Sequence, residues 1–190
     1  MTPHEPIVTA GIDVGSGAGR VALHLQGRGL EVTAIDNSPL ALEVCRRRGV
    51  KRTVLRPIEE VGRFPDGTFD TVVLFGNNLG LLGGRAKARR LLRVLRRICR
   101  DGALILAGTL DPHATEDPVH LAYHRRNLRR GRMAGQVRIR VRFRDAAGPW
   151  FDYLFLSRGE LRSLLAGTGW RVRRTFGGKG PHYVAVLEGE

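Results

Sequence analysis

The residues best suited to chemistry lie in a glycine-rich stretch near the start of the chain. It reads Asp13-Val-Gly15-Ser-Gly17-Ala-Gly19, an acidic residue followed by three glycines at alternate positions. Because glycine has no Cβ, a ligand can approach the backbone of such a turn closely. The free N–H groups and positive dipole end of a following helix would favour a polar or anionic ligand there. The stretch therefore predicts a site for a nucleotide-like cofactor.

Strands and helices alternate around this turn. Apolar strands are predicted at 7–13, 30–36, 50–56, in the latter part of 64–76 and at 103–109, with helices at 17–27, 39–48 and 84–99 between them. Such alternation predicts a parallel sheet of right-handed crossover units, covered on both faces. Asp36 ends the second strand, at the edge where such sheets bind ligands, and its carboxylate can accept hydrogen bonds from both hydroxyls of a ribose.

The pattern changes after the fifth strand. A helix over 117–130 is followed by Val137, Ile139, Val141 and Phe143 alternating with Arg138, Arg140, Arg142 and Arg144, which predicts one half-buried strand. The sequence "DAAG" predicts a turn, with a returning strand at 150–156. Ser157 is expected to cap a helix to about Ala166. The strands 169–176 and 182–189 are joined by too few residues for a crossover, so they must be antiparallel.

The predicted fold is thus α/β: a single Rossmann-like, doubly wound, mostly parallel sheet with an antiparallel last strand. A helix and β-hairpin insertion, 117–156, follows the fifth strand and is expected to be a substrate cap or a dimer element. One domain over 1–190 is expected because no linker is visible.

Three ligand classes compete for the glycine-rich turn. The dinucleotide fingerprint G-x-G-x-x-G fits Gly15 and Gly17, but its third glycine falls on Arg20. The phosphate-binding loop requires Gly-Lys-Ser/Thr, which is absent. The third pattern is acid-x-G-x-G-x-G. With this pattern, with Asp36, with "FPDGTFDTVV" before the fourth strand and with the closing antiparallel pair, the chain resembles the class I S-adenosylmethionine-dependent methyltransferases over nearly its whole length.

The resemblance implies S-adenosyl-L-methionine as cofactor and S-adenosyl-L-homocysteine as product. It implies that Asp13 contacts the methionine end, and that Asp36 holds the ribose with Asn37 beside the adenine. It further implies that the turn forms the floor of the site through Gly15, Ser16, Gly17 and Gly19. The end of the fourth strand is implied to border the sulfonium through Phe75, Gly76 and Asn77. The acidic residue that the family often has after the third strand falls on Ile58, with Glu59 next, which departs from the family pattern.

Candidates for a general base follow the fifth strand. Asp111 and His113 leave its carboxyl end and are the candidate catalytic residues, needed only if the acceptor carries a proton. Candidate substrate contacts are Asn78, Tyr123, His124 and Trp150. His120 and His124 share a helix face, but no third ligand is evident, so no metal site is predicted.

The acceptor is best predicted to be a small molecule. The fourth strand is followed by "GNNLGLLGG", without the Pro-Pro-aromatic motif typical of enzymes that methylate nucleobase amines. The net charge of +14 keeps an RNA methyltransferase open as the alternative, although the excess of arginine over lysine is also what a GC-rich genome produces. A non-catalytic S-adenosylmethionine-binding protein is a second alternative.

The remaining features bear on the setting of the protein. Two isolated cysteines form neither a disulfide framework nor a metal cluster, which favours a reducing, cytoplasmic location. No signal peptide or membrane span is expected, and the protein is expected to be a monomer or a homodimer.

Overall fold

The computed structural model describes residues 10–177 and 180–190, and within them a mixed seven-stranded sheet forms the centre of the fold. The strands are β1 (Ala10–Val14), β2 (Glu31–Asp36), β3 (Arg52–Leu55), β4 (Phe69–Leu74), β5 (Cys99–Leu110), β6 (Gln136–Ile139), β7 (Arg142–Phe143), β8 (Ala146–Ala147), β9 (Phe151–Leu154), β10 (Trp170–Phe176) and β11 (His182–Gly189). The helices are α1 (Arg20–Gln26), α2 (Pro39–Arg47), α3 (Arg85–Ile98), α4 (Pro118–Arg129) and α5 (Arg158–Leu165), with 3-10 turns at Ile58–Arg63 and Asn78–Leu82.

The order of strands in the large sheet is β10-β11-β5-β4-β1-β2-β3. Its strands are parallel except β11, which runs antiparallel to both β5 and β10. The predicted α/β fold with an antiparallel last strand is therefore confirmed. Because β11 runs backwards, its first residues lie beside the last residues of β5, with His182 opposite Leu110. The ligand-binding edge of the parallel strands is thus extended by the start of β11.

Helices cover both faces of the sheet. On one face, buried residues of α1 and α2 such as Ala22 and Leu42 pack against Val32 and Ala34 of β2. On the other face, the apolar stripe of α3 is fully buried, as its sequence pattern predicts, and packs with α5 and with residues of the central strands. Burying such stripes is what stabilises amphipathic helices in a fold of this kind.

Helix α1 begins later than the sequence predicts. The residues Gly15, Gly17 and Gly19 have positive φ angles of 71°, 53° and 77°. This left-handed conformation is incompatible with the right-handed helix that was predicted to include Gly17 and Gly19. The helix therefore begins at Arg20, and the glycine turn forms a separate loop between β1 and α1.

The insertion after β5 contains the predicted helix, but its strands are divided differently. Strand β6 pairs with β9 only over Gln136–Ile139, and β7 and β8 form a separate two-stranded ribbon. Val141 and Phe143 are 69% and 72% exposed, so the body of the domain does not bury these two side chains as predicted. The alternating pattern is present, but beyond Ile139 no element among the described residues packs under its apolar face. Ala146 and Ala147, predicted as a turn, pair with Arg142 and Phe143 instead.

Two further points concern the limits of the chain. Residues 7–9 of the predicted first strand lie outside the described residues, as do Gly178 and Lys179 of the last connection. None of the helices in the described part combines the length and the apolar character that crossing a bilayer requires.

Candidate functional site

The glycine turn is held against the end of β2. The N–H groups of Gly15 and Ser16 both donate to the carbonyl oxygen of Ile35, at 2.9 and 3.0 Å. The Asp36 carboxylate accepts one hydrogen bond from Gly17 N–H at 2.9 Å and another from Ser38 N–H at 2.8 Å. The structure therefore brings Asp36, the residue predicted to hold the ribose, into contact with the glycine turn predicted to hold the cofactor. The second of these bonds also orders the start of α2, which Ser38 caps as predicted.

Helix α2 supports the turn from the other side. The Cys45 thiol donates to the Gly17 carbonyl oxygen at 3.0 Å, and the Arg48 guanidinium donates to the Ala18 carbonyl oxygen at 2.6 Å. Burial raises the pKa of Cys45, so the thiol keeps the proton that it donates. A Cβ on Gly19 would lie 2.7 Å from a methyl group of Val50, so glycine is required there for packing.

Gly17 is a different case. A Cβ built on Gly17 meets no atom within 4 Å. Glycine is favoured at this position by its φ of 53°, and the space beside it is free for a ligand.

The buried carboxyl of Asp13 indicates that the site binds a ligand with a hydrogen-bond donor. Its side chain is 3% exposed, and its Oδ2 atom has no hydrogen-bond partner among the described residues. Burial raises the pKa of Asp13 to about 6, against the opposing effects of a backbone hydrogen bond and of Arg20. An unpartnered buried carboxyl is costly, and a bound cationic or N–H group would remove that cost. This arrangement fits the amino group at the methionine end of the implied cofactor.

The turn after β4 joins the same site. Asn77 adopts a left-handed conformation with φ 65°. The side-chain amide of Asn78 donates to the carbonyl oxygens of Val14 and Gly15, at 2.9 and 2.8 Å. Asn78 is a predicted substrate contact, and in the structure both of its amide N–H groups bind the main chain beside the glycine turn. Its role is to tie the β4 end to that turn.

A cavity of about 540 Å³ opens at the edge of the sheet where β4 and β5 end and β11 begins. Its wall includes the predicted residues Phe75, Gly76 and Asn77. Thr109, which is 1% exposed, also lines it, and its hydroxyl has no partner within the described chain. The other lining residues are Arg20, Gly108, Phe176, Gly177, His182, Tyr183 and Val184.

The predicted catalytic residues form a cluster that does not line this cavity. The Asp111 carboxylate accepts a hydrogen bond from the main chain of His113 at 2.9 Å. The His113 ring lies 3.5 Å from a Glu160 carboxylate oxygen and 6.0 Å, centroid to centroid, from the His124 ring. Burial, together with the charges of His113 and His120, lowers the pKa of His124. The cluster holds polar side chains near Tyr183 but brings neither Asp111 nor His113 into the cavity wall.

Tyr123 and Trp150 also lie outside the wall. Arg126 covers the Tyr123 ring at 4.9 Å, and Arg140 covers the Trp150 ring at 4.8 Å. Trp150 is 53% exposed beside the β7–β8 ribbon and does not line this cavity. Across the described ranges, no three histidine, cysteine or acidic side chains are grouped as a metal ion would require.

The expected adenine contacts after β3 have other partners. The side chain of Ile58 is 6% exposed and packs in the core, which leaves its main chain for the expected adenine contact. Glu59 forms an ion pair with Lys87 of α3 at 2.5 Å. Burial acts to raise the pKa of Glu59, but hydrogen bonds, chiefly from Lys87, and the charges of Lys87 and Arg90 lower it overall. Its carboxylate is therefore already engaged on the α3 side.

Sequence reasoning missed eight of the eleven residues that line the cavity. The missed residues are Arg20, Gly108, Thr109, Phe176, Gly177, His182, Tyr183 and Val184. A usable signal was present for most of them, since an antiparallel β11 must begin beside the end of β5. Tyr153, whose hydroxyl donates to the Asn77 carbonyl oxygen at 2.5 Å, was also missed, and no local pattern indicates that contact.

Comparisons with known proteins agree with this geometry. A family model described as "Methyltransferase domain" matches residues 12–107. A SAM-dependent methyltransferase from Bacteroides fragilis, solved in complex with S-adenosyl-L-homocysteine, is 30% identical with a TM-score of 0.79, over 95% of this chain and 73% of that chain. A search of curated proteins found no match.

Two more distant structures share the fold. A SAM-dependent methyltransferase from Methanosarcina mazei is 16% identical with a TM-score of 0.73, over 95% of this chain and 92% of that one. The 1,6-didemethyltoxoflavin-N1-methyltransferase of Burkholderia thailandensis, solved with 1,6-didemethyltoxoflavin and S-adenosylhomocysteine, is 18% identical with a TM-score of 0.62, over 95% and 70%. From the matched domain and the 30% identical relative, we conclude that this chain belongs to the S-adenosylmethionine-dependent methyltransferases.

Proposed function

We propose that the protein transfers a methyl group from S-adenosyl-L-methionine to a small-molecule acceptor bound in the cavity at the ends of β4, β5 and β11. The observation that carries the proposal is the cavity itself. Its volume of about 540 Å³ and its apolar side chains, among them Phe75, Phe176 and Val184, suit a ring-sized ligand. Pockets of about 300–1,000 Å³ with mostly apolar walls are typical of small-molecule sites.

In this proposal the cofactor lies across the glycine turn. Asp36 accepts hydrogen bonds from the ribose, Asn37 lies beside the adenine, and Asp13 binds the amino group of the methionine end. Gly15, Ser16, Gly17 and Gly19 form the floor. The main chain of Ile58 and Glu59 remains for the adenine, and Phe75, Gly76 and Asn77 border the sulfonium.

The chemistry that the cofactor supplies is an activated methyl group on a sulfonium. The work of the protein is therefore mainly alignment, which contributes up to about 7–11 kcal/mol in favourable cases. Thr109 is the residue that we assign to the acceptor, because it lines the cavity and its buried hydroxyl has no partner among the described residues. His182, at the exposed mouth of the cavity, is a better-placed proton acceptor than His113, which lies outside the wall.

The insertion is proposed to cover the acceptor. Strand β9 packs on the 3-10 turn that follows the cavity residue Asn77, and the Tyr183 hydroxyl of the cavity wall donates to the Leu156 carbonyl oxygen at 2.7 Å. Two contacts thus connect the end of the insertion with the proposed acceptor site. The toxoflavin methyltransferase of Burkholderia thailandensis, with its bound 1,6-didemethyltoxoflavin, supports a small-molecule acceptor by analogy of fold.

The experiment is methyl transfer from labelled S-adenosylmethionine into two separate pools, a metabolite fraction and total RNA. We expect label in the metabolite fraction. Val184→Phe, which fills the cavity, should abolish this transfer, whereas Val186→Phe on the same strand face should retain it. Label that enters RNA alone would contradict the proposal.

RNA is the second candidate acceptor, and one observation favours it. The β7–β8 ribbon carries Phe143 and the neighbouring segment carries Trp150, both exposed and both covered by an arginine. Arginines interleaved with exposed aromatic rings are typical of single-stranded nucleic-acid sites. The cavity nevertheless favours the small molecule, because the ribbon residues contribute nothing to its wall.

A further inference from the structure

One partly buried contact connects the insertion with the cofactor side of the site. Tyr153 of β9 donates its hydroxyl to the Asn77 carbonyl oxygen at 2.5 Å. Its ring covers Gly80, where a Cβ would lie 2.2 Å from the ring. Gly80 therefore has to be glycine for the ring to reach its position. Burial raises the pKa of Tyr153 to about 12, so the hydroxyl remains a donor at physiological pH.

The peptide that accepts this hydrogen bond follows an unusual backbone conformation. Asn77 has a φ of 65°, in the left-handed region that few non-glycine residues adopt and that asparagine tolerates better than most. Asn77 lines the cavity, and the next residue, Asn78, donates its amide to Val14 and Gly15. The chain of contacts therefore runs from Tyr153 through the Asn77–Asn78 peptide to the glycine turn.

The contact is part of a wider docking of the β6–β9 hairpin on this turn. A Cβ on Gly83 would lie 3.3 Å from the Asp152 carbonyl oxygen, and one on Gly84 would lie 2.7 Å from the side chain of Gln136. Gly83 and Gly84, which directly follow the 3-10 turn, thus let the main chain approach both β9 and β6. Tyr153 is the member of this contact region that donates a hydrogen bond to the main chain of a cavity residue.

We propose that Tyr153 is a positioning residue, through which the docked hairpin holds the Asn77–Asn78 turn in the conformation that the cofactor site requires. The inference rests on the cofactor position proposed above. It adds that cofactor affinity depends on a side chain of the insertion, which itself does not touch the cofactor. By linkage, cofactor binding must stabilise the docked hairpin to the same extent.

The test uses Tyr153→Phe, which keeps the ring on Gly80 and removes only the hydroxyl. S-adenosylhomocysteine binding, measured by calorimetry, should weaken about five- to twenty-fold, the size expected for one partly buried hydrogen bond that positions a site. The matched control is Thr168→Val, which also removes a buried hydroxyl that donates to a main-chain carbonyl, that of Leu165 at 2.6 Å, in the loop between α5 and β10. This control should lose stability without losing affinity.

A second measurement begins with the wild-type protein. Hydrogen exchange of the β6 and β9 amides in the wild-type protein should slow when S-adenosylhomocysteine is added, and Tyr153→Phe should reduce this protection. If Tyr153→Phe binds as tightly as Thr168→Val, or if the ligand leaves hairpin exchange unchanged, the inference is wrong. If the proposed cofactor position itself is wrong, Gly17→Ala will bind S-adenosylhomocysteine normally. This result distinguishes that failure from a failure of the Tyr153 inference.

Discussion

At the scale of single residues, Asp13 lowers the stability of the unliganded protein and is proposed to bind the amino group of the cofactor. Its carboxyl is buried, one oxygen lacks a partner in the described chain, and its pKa is raised to about 6 from the model-compound value of 3.8. Between these two pH values the native state binds more protons than the unfolded state. The free energy of unfolding therefore falls as the pH rises through this window, and the full cost is present above pH 6.

The variant Asp13→Asn should remove this cost. We expect the unliganded variant to be more stable than wild type at pH 7 by roughly 1–3 kcal/mol, with the gain shrinking as the pH falls towards 5. Urea unfolding at several pH values measures this. The same variant should bind S-adenosylhomocysteine more weakly, because it loses the charge proposed for the amino group.

The control for this prediction is Asp66→Asn. Asp66 is an exposed carboxylate paired with Arg97, so its loss should change stability little and with no gain at neutral pH. A variant at Asp13 that is less stable than wild type at pH 7, or that keeps full affinity, would contradict the assignment.

At the scale of elements, two glycines of one turn separate binding from folding. Gly17 and Gly19 both have positive φ angles, but only Gly19 is packed against Cys45 and Val50. We predict that Gly17→Ala costs little stability beyond the roughly 1–2 kcal/mol of left-handed strain, yet abolishes S-adenosylhomocysteine binding. Gly19→Ala should unfold at a much lower denaturant concentration.

Calorimetry and urea unfolding on the two variants make the comparison. If Gly17→Ala retains normal affinity, the ligand does not approach this peptide. If both variants lose stability equally, the free space beside Gly17 has no functional meaning.

The sequence predicts elements well where local chemistry decides them. The short connection after Phe176 requires β10 and β11 to be antiparallel, which the structure shows. The β6–β9 hairpin shows the limit. Its alternating pattern predicts a strand, but whether Val141 and Phe143 are buried depends on a packing partner elsewhere in the fold, and none is present in the described chain.

The candidate site follows the same rule. Asp36 and the glycine turn could be predicted to meet, because each ends or follows a parallel strand at one edge. The role of Asn78 could not, because the direction of its side chain depends on the left-handed conformation of Asn77 before it. Counting positions from a family pattern likewise does not reveal that the side chain of Ile58 turns into the core, so that its main chain remains for the proposed adenine contact.

At the scale of the whole molecule, the open question is what the positive charge does. The chain carries 32 basic and 18 acidic residues, and many of its arginines pair with nearby carboxylates. Four arginines of the insertion do not. No acidic partner within the described residues binds Arg138, Arg140, Arg142 or Arg144, and Asp152, the residue opposite Arg138, pairs with Arg132 instead.

These four arginines allow a decisive test between the two acceptors. If the acceptor is a small molecule in the cavity, the arginines are a solvated surface. A structured RNA should then bind only at low salt, because each phosphate contact of this kind is lost with rising salt. The variant with all four arginines changed to glutamine should keep full methyl transfer to the metabolite fraction.

The matched control removes the same charge elsewhere, by changing the exposed Arg28, Arg47, Arg63 and Arg162 to glutamine. Under our proposal both variants weaken low-salt RNA binding alike, since only total charge matters. Micromolar or tighter binding that survives at about 0.15 M salt, and that is lost only when the insertion arginines are changed, would mean that the exposed rings of Phe143 and Trp150 and these arginines form an RNA site. The cavity would then have to receive a nucleotide presented by the ribbon, and RNA would replace the small molecule as the acceptor.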